Sequence, residues 1–256
     1  MKNTYKKLVV ILCVILLMML LSNIGCLAFF KKKHNYFRYS TMLVSQENYY
    51  QKQFASVNVP FIQQNPNYPN GCEAVSAAML LQSYGINITV NEFVNRYLKK
   101  NMIYLKNGVL YGPNPRDTYA GNPRSTTMGF GVFEPGVKLA IEKVLRDKSK
   151  EKINYKVYGS AQKEPLSYWK KAKLPIVIWI TTNYKPANEM CTWKSYDKKH
   201  TYTYPKKSHT VVLVDVDEKY YYINDPLKNT GNTKIEKEKL EASFDSLGRQ
   251  VVGIEI

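Results

Sequence analysis

Hydrophobic and polar positions divide the chain into three stretches of different character. Residues Leu8 to Phe30 are an apolar run of 23, long enough to cross a bilayer as a helix. Lys2, Lys6 and Lys7 precede it and Lys31, Lys32 and Lys33 follow it. Basic flanks on both sides leave the orientation open, but a short basic N-terminus ahead of an apolar run has the form of an export signal, which would carry the remainder outside the cytoplasm. A small-x-small cleavage pattern is poor at Asn23-Ile24-Gly25, and the residues before Cys26 lack the leucine of a lipoprotein acylation site. The expectation is therefore an uncleaved single-pass anchor over residues 1–33. Residues 34–57 are polar and aromatic without a period and read as a tether, and the folded domain is expected over residues 58–256.

Within that domain the pattern changes halfway. Asn67-Tyr68-Pro69-Asn70-Gly71 is dense in turn formers and delivers the chain to Cys72; the following EAVSAAMLLQSYG predicts a buried helix of about three turns stopped at Gly85. Thr89-Val90-Asn91-Glu92 has the capping-box form, with FVNRYLKK continuing it as an amphipathic helix. Residues 107–131, rich in glycine and proline, read as a long irregular loop and a candidate cleft wall. Pro135 opens a third helix with a basic end. Beyond a short helix at Leu166 to Lys173, the segments IVIWITT, HTVVLVDV, KYYYIND and QVVGIEI predict β-branched strands. A polar loop lies between Asn183 and Ser208, and a helix spans Glu236 to Phe244. Helices first and antiparallel strands second is an α+β pattern.

Charge adds a candidate partner. The 256 residues carry 37 basic and 20 acidic side chains; with the six N-terminal lysines set aside, 31 against 20 leaves the exported part at +11. Such a surface could hold anionic wall polymers or lipid headgroups, although a solvated lysine-rich surface explains it as well. No recognised motif accompanies the charge, so nucleic acid is not an expected partner. The chain reads as a monomer. Cys13 and Cys26 lie in the apolar run, which leaves Cys72 and Cys191: no disulfide framework, with a single bridge left open. There is no phosphate-binding or dinucleotide fingerprint, and Cys191, His200 and His209 match no common zinc spacing, so neither cofactor nor metal is expected.

The remaining polar residues suggest nucleophilic chemistry. A helix N-terminus and a neighbouring imidazolium both lower a thiol's pKa. Cys72 stands at a helix start, whereas Cys191 lies in a loop. Of three histidines, His34 is in the tether, His200 in a polar loop, and His209 opens an apolar strand that can fix its ring. Asn224 or Asp225, returned by the hairpin after HTVVLVDV, could orient that ring. Gln63 or Gln64, with the backbone N–H of Cys72, could form an oxyanion hole.

Taken together, VPFIQQNPNYPNGCEAVSAAMLLQSYG, GPNPRDTYAGNPRS, LPIVIWITT and HTVVLVDVDEKYYYINDPL resemble the C-39-like cysteine peptidases, relatives of the domains that cleave bacteriocin leader peptides. The resemblance covers residues 58–256. It implies a papain-like fold, a peptide or protein substrate, Cys72 as nucleophile, His209 as base, Asp225 as its orienting residue and Gln64, ahead of Gln63, as the oxyanion glutamine. Gln64 lies eight residues before the cysteine, further than in papain itself. The chain carries no transporter, so double-glycine leader cleavage is not inherited with the fold. A non-catalytic peptide- or wall-binding module and a peptidoglycan endopeptidase or amidase are the competing readings.

Overall fold

The structure is a computed structural model that describes residues 58–148, 156–159, 166 and 174–255. The expected anchor, tether and most of the helix at Leu166 to Lys173 lie outside the described residues. Among those described, no helix is long and apolar enough to cross a membrane.

Helix α1 (Cys72–Ser83) is buried on every side from Cys72 to Leu81. Its alanines and leucines favour the helix intrinsically, and their small size lets it sit in the centre of the domain. Gly85, at φ +74°, ends it: the N–H of Gly85 donates to Gln82 O (2.9 Å) and that of Ile86 to Leu81 O (3.1 Å), a left-handed glycine cap. At the next start, α2 (Val90–Glu92), the Thr89 hydroxyl accepts from the Glu92 N–H at 3.1 Å. The expected helix does not run on to Lys100. It widens into a π-turn at Phe93–Tyr97 and stops, because Leu98 turns extended to bury its side chain and Lys100 enters a strand. Thr89→Ala removes only that cap, so urea denaturation is expected to show a loss of about 1 kcal/mol. Helix α3 (Glu134–Lys148) buries Val137, Ala140, Ile141, Val144 and Leu145, the i, i+3, i+4, i+7 stripe of a helix lying on a core.

The main sheet contains β6 (Lys156–Gly159), β7 (Ile176–Thr181), β10 (Ser208–Val216), β11 (Tyr220–Asn224), β12 (Thr233–Glu236) and β13 (Val251–Glu255), in the order β12-β11-β10-β7-β13-β6 with every pair antiparallel. Side chains alternate across it. Val177, Trp179, Val212 and Val252 join the core built on α1 and α3. Ile176, Ile178, Val211 and Leu213 face Leu240 and Phe244 of α4 (Lys237–Ser246). The α+β class is thus observed, with helices on both faces of the sheet.

Two stretches expected as loops are instead paired. Residues 107–131 contain β3 (Val109–Tyr111), β4 (Tyr119–Gly121) and β5 (Gly129–Gly131); residues 183–208 contain the hairpin β8 (Met190–Lys194) and β9 (Thr201–Pro205). With β1 (Lys100–Asn101) and β2 (Tyr104–Lys106) they form the sheets β2-β3-β8-β9 and β1-β4-β5. These strands are short, and the hairpins β2–β3, β4–β5 and β8–β9 are joined by longer-range pairings, as where Tyr111 pairs with Lys194 and Lys100 with Tyr119. A small core of Ile103, Ala120, Trp193 and Tyr204 holds them together.

Candidate active site

The site forms where one strand leaves another. Pairing of β11 with β10 ends at Val212 opposite Asn224, because the chain turns away at Asp225-Pro226. The Thr210 backbone, exposed by that departure, meets α1 instead: the Ser76 hydroxyl donates to Thr210 O at 2.9 Å, deep in the core. The N-terminus of α1 is thereby docked on β10, and Thr210 on that strand acts on the Cys72 thiol, pulling its pKa down. Cys72 is the first helical residue and only 8% exposed. Gly71 permits this entry, since a Cβ there would lie 2.8 Å from the Tyr68 Cβ. The turn is braced from outside, with the Asn70 N–H on Pro123 O (3.1 Å) and the Tyr119 hydroxyl on Asn70 O.

His209 precedes Thr210 on β10 and pairs in register with Ile180 of β7, so the sheet fixes its backbone. Its Nε2 lies 2.6 Å from Asp225 Oδ1, both side chains being almost wholly buried. Asp225 also accepts from the Tyr184 hydroxyl (Oδ2, 2.6 Å) and the Leu227 N–H (Oδ1, 2.9 Å). Burial alone would raise the pKa of this carboxyl, but the hydrogen bond and charge of His209, then Tyr184 and Leu227, outweigh it and hold the pKa at about 2. A carboxylate can only accept, so Nε2 carries the proton of this hydrogen bond, which leaves Nδ1 as the ring nitrogen not engaged by Asp225.

The geometry separates the pairs that the sequence leaves open. Asn224 donates to Val59 O (3.1 Å) and accepts from the Asn232 N–H (2.8 Å), so its amide pins the N-terminal segment to the turn after β11. Gln63 is exposed and donates to Asn229 Oδ1 at 3.0 Å. Gln64 is buried, its backbone N–H on Pro226 O (2.9 Å) and its Nε2 on Pro69 O (2.9 Å). It therefore ties the turn before Cys72 to the turn after Asp225, and its buried Oε1 has no hydrogen-bond partner. Cys191 is a half-buried free thiol on β8, and His200 is exposed at the edge of β9 with its ring stacked on Tyr202. Cys72 is also free, so no bridge joins the two.

The expectation of a lowered thiol pKa does not hold in this structure. Burial pushes the Cys72 thiol well up, and the neighbouring Glu73 carboxylate pushes it further; the Thr210 contacts pull the other way without compensating. Glu73 was not legible as a site residue. It is 2% exposed, and its Oε2 accepts from the Cys72 sulfur at 3.4 Å. Its Oε1 accepts from the Val132 N–H (3.0 Å) and the Tyr204 hydroxyl (3.2 Å). A signal did exist: an acidic residue directly after the cysteine in an otherwise apolar, fully buried helix. Tyr184 carried none, since it reaches Asp225 from a turn after β7 with a left-handed backbone (φ +56°).

Residues 56–252 match the model of the Peptidase_C39 like family. The uncharacterized protein YvpB of Bacillus subtilis (strain 168) is 28% identical over 190 residues, covering 74% of this chain and 71% of its own. A crystal structure from Bacillus anthracis that carries the C39-like peptidase name superposes with a TM-score of 0.66 at 30% identity, over 78% of this chain and 96% of that one. A double glycine motif protease from an AMS/PCAT transporter, solved with its leader peptide, matches at 19% identity and a TM-score of 0.39, over 77% of this chain and 90% of that one. By sequence and by fold, this chain belongs to the Peptidase_C39 like family.

Proposed function

We propose that the protein is a membrane-anchored cysteine peptidase whose catalytic domain stands outside the cytoplasm and hydrolyses peptide bonds in a peptide or protein substrate. The observation that carries this reading is the buried His209–Asp225 pair, with every acceptor of the carboxylate oriented, beside the strand residue on which the Cys72 thiol rests. A histidine serving only to pack would not need its tautomer set by an ionised carboxylate.

The chemistry follows from the atoms present. Cys72 Sγ attacks the carbonyl carbon of the scissile bond as His209 Nδ1 takes the thiol proton. Asp225 steadies the imidazolium that forms. The oxyanion is met by the backbone N–H of Cys72, one of the donors that a helix start leaves without an intrahelical partner, and by the side-chain amide of Gln64. His209 returns its proton to the departing amine, leaving a thioester on Cys72. Water, deprotonated by the same nitrogen, then releases the acid and restores the thiol. The apolar run at Leu8 to Phe30 supports the anchor, and the basic N-terminus ahead of it supports export.

A membrane-impermeant peptidyl fluoromethyl ketone tests both halves. Applied to intact cells carrying the full chain, it is expected to alkylate Cys72 and not Cys191, as located by peptide mass mapping, and the adduct should disappear in His209→Ala. Equal modification of the two thiols, or insensitivity to His209, would defeat the peptidase reading. An adduct on Cys72 that forms only after cell lysis would defeat the extracytoplasmic placement.

A further inference from the structure

A buried carboxylate touches the nucleophile, and the mechanism above gives it no task. Glu73 Oε2 meets the Cys72 sulfur at 3.4 Å, while Oε1 takes the Val132 N–H and the Tyr204 hydroxyl. The elements around it are tightly fitted. Val132 is itself held from the other side, its carbonyl accepting from Trp179 Nε1 at 3.0 Å. Gly131 leaves the necessary room, since a Cβ there would lie 2.5 Å from Glu73 Oε1 and 2.1 Å from the Tyr204 hydroxyl. Glu73 therefore cannot swing aside without displacing β5, β9 or the sulfur.

The titratable groups facing this carboxyl are Cys72 on its own helix, Tyr204 on β9 and Tyr119 on β4. Thr210 of β10 and the Val132 N–H contribute only neutral dipoles. None of these groups carries positive charge, and the base that the proposed mechanism brings to the sulfur, His209 on β10, is hydrogen-bonded to the Asp225 carboxylate. A lone anion in such surroundings is costly, and two anions in contact are more so. The pair can therefore hold one proton comfortably, on sulfur with a carboxylate acceptor or on oxygen with a thiolate acceptor, while removal of the last proton is strongly opposed.

We propose that Cys72 and Glu73 share one proton, which makes Glu73 a positioning residue that sets the pH at which the nucleophile ionises. The transfer balances within the pair: the S–H bond breaks as the O–H bond forms, and the net charge of the two side chains stays at minus one. The inference deepens the peptidase reading, because it assigns control of the thiol to a carboxylate from the helix itself in addition to His209. Burial and the carboxylate both raise the thiol's pKa, and burial raises that of Glu73, as sharing requires.

The test is the pH profile of alkylation by iodoacetamide on the full chain, with Cys191 resolved by mass mapping as an internal reference. In Glu73→Gln the amide oxygen can keep Val132 and Tyr204, and the amide N–H can donate to a thiolate. The Cys72 midpoint is expected to fall by at least about one pH unit, with the Cys191 profile unmoved. Coincident profiles, or a shift upward, would overturn the proposal. The wild-type protein gives a second reading that requires no variant: the Cys72 midpoint should lie above that of Cys191, and a midpoint below it would overturn the proposal too. Iodoacetamide reports ionisation whether or not any peptide is cleaved, so failure here would leave the peptidase reading standing.

Discussion

Replacing His209 by glutamine is expected to lower kcat/KM for peptide hydrolysis by about 10³-fold, and replacing Cys72 by alanine to abolish it. A positioned general base contributes roughly 10²- to 10⁴-fold. A value no lower than the middle of that range is expected because burial and Glu73 hold the thiol's pKa up, so attack depends on proton removal at the moment of reaction. Glutamine is the informative substitution. His209 is 1% exposed, and alanine would leave Asp225 facing a void, whereas a glutamine amide can still donate to Asp225 Oδ1 and so keep the carboxylate partnered. What glutamine cannot do is accept and return a proton. Steady-state hydrolysis of fluorogenic peptides by the full chain checks the result. Activity within tenfold of wild type in His209→Gln would mean that the imidazole only packs, and residual turnover in Cys72→Ala would remove the thiol from the chemistry.

Much of the architecture could be read in advance because the devices that create it are local. The β-branched runs at Ile176–Thr181 and Ser208–Val216 are strands in a sheet buried on both faces, and both were legible from composition alone. Gly85 and Thr89 signalled a stop and a start by chemistry confined to a few residues. Among the strands within 107–131 and 183–208, β3 had such a signature in Asn107-Gly108, two left-handed residues that pair it with β2, and the others had no two-residue turn of that kind. Each is three to five residues long, and the pairing that joins hairpins into a sheet, Tyr111 with Lys194, is made only by the folded chain. At the site, the cysteine at a helix start and the histidine on a strand edge were visible as residue types in context. The choice between Asn224 and Asp225 was not, because both sit in one turn and only the path of the chain decides which side chain meets the ring. The sign of the thiol's pKa shift was missed for the same reason. A helix start is local, whereas the enclosure of the Cys72–Glu73 pair by Thr210, Tyr204 and the Val132 N–H is not.

Removing the acceptor beneath His209 is expected to have the largest effect on stability. Asp225→Ala would leave the His209 Nε2–H, the Tyr184 hydroxyl and the Leu227 N–H without their common partner in a site shielded from water, which should cost about 3 kcal/mol in urea denaturation. Asp225→Asn, which keeps an acceptor oxygen but loses the charge, should cost less, about 2 kcal/mol near neutral pH. It should cost far more in activity, because an amide no longer holds an imidazolium. The pH dependence has a definite sign. The carboxyl's pKa is about 2 in the folded protein, against about 3.9 when free. Its stabilising contribution, on the order of 2 kcal/mol, is therefore full above about pH 5 and is lost as pH falls through 4 toward 2. The stability gap between the wild-type protein and Asp225→Asn should accordingly be wide at pH 6 and narrower at pH 3. A gap that stayed constant or widened on acidification would show that Asp225 is not held as a carboxylate, and His209 would then lose the fixed tautomer on which its role as base depends.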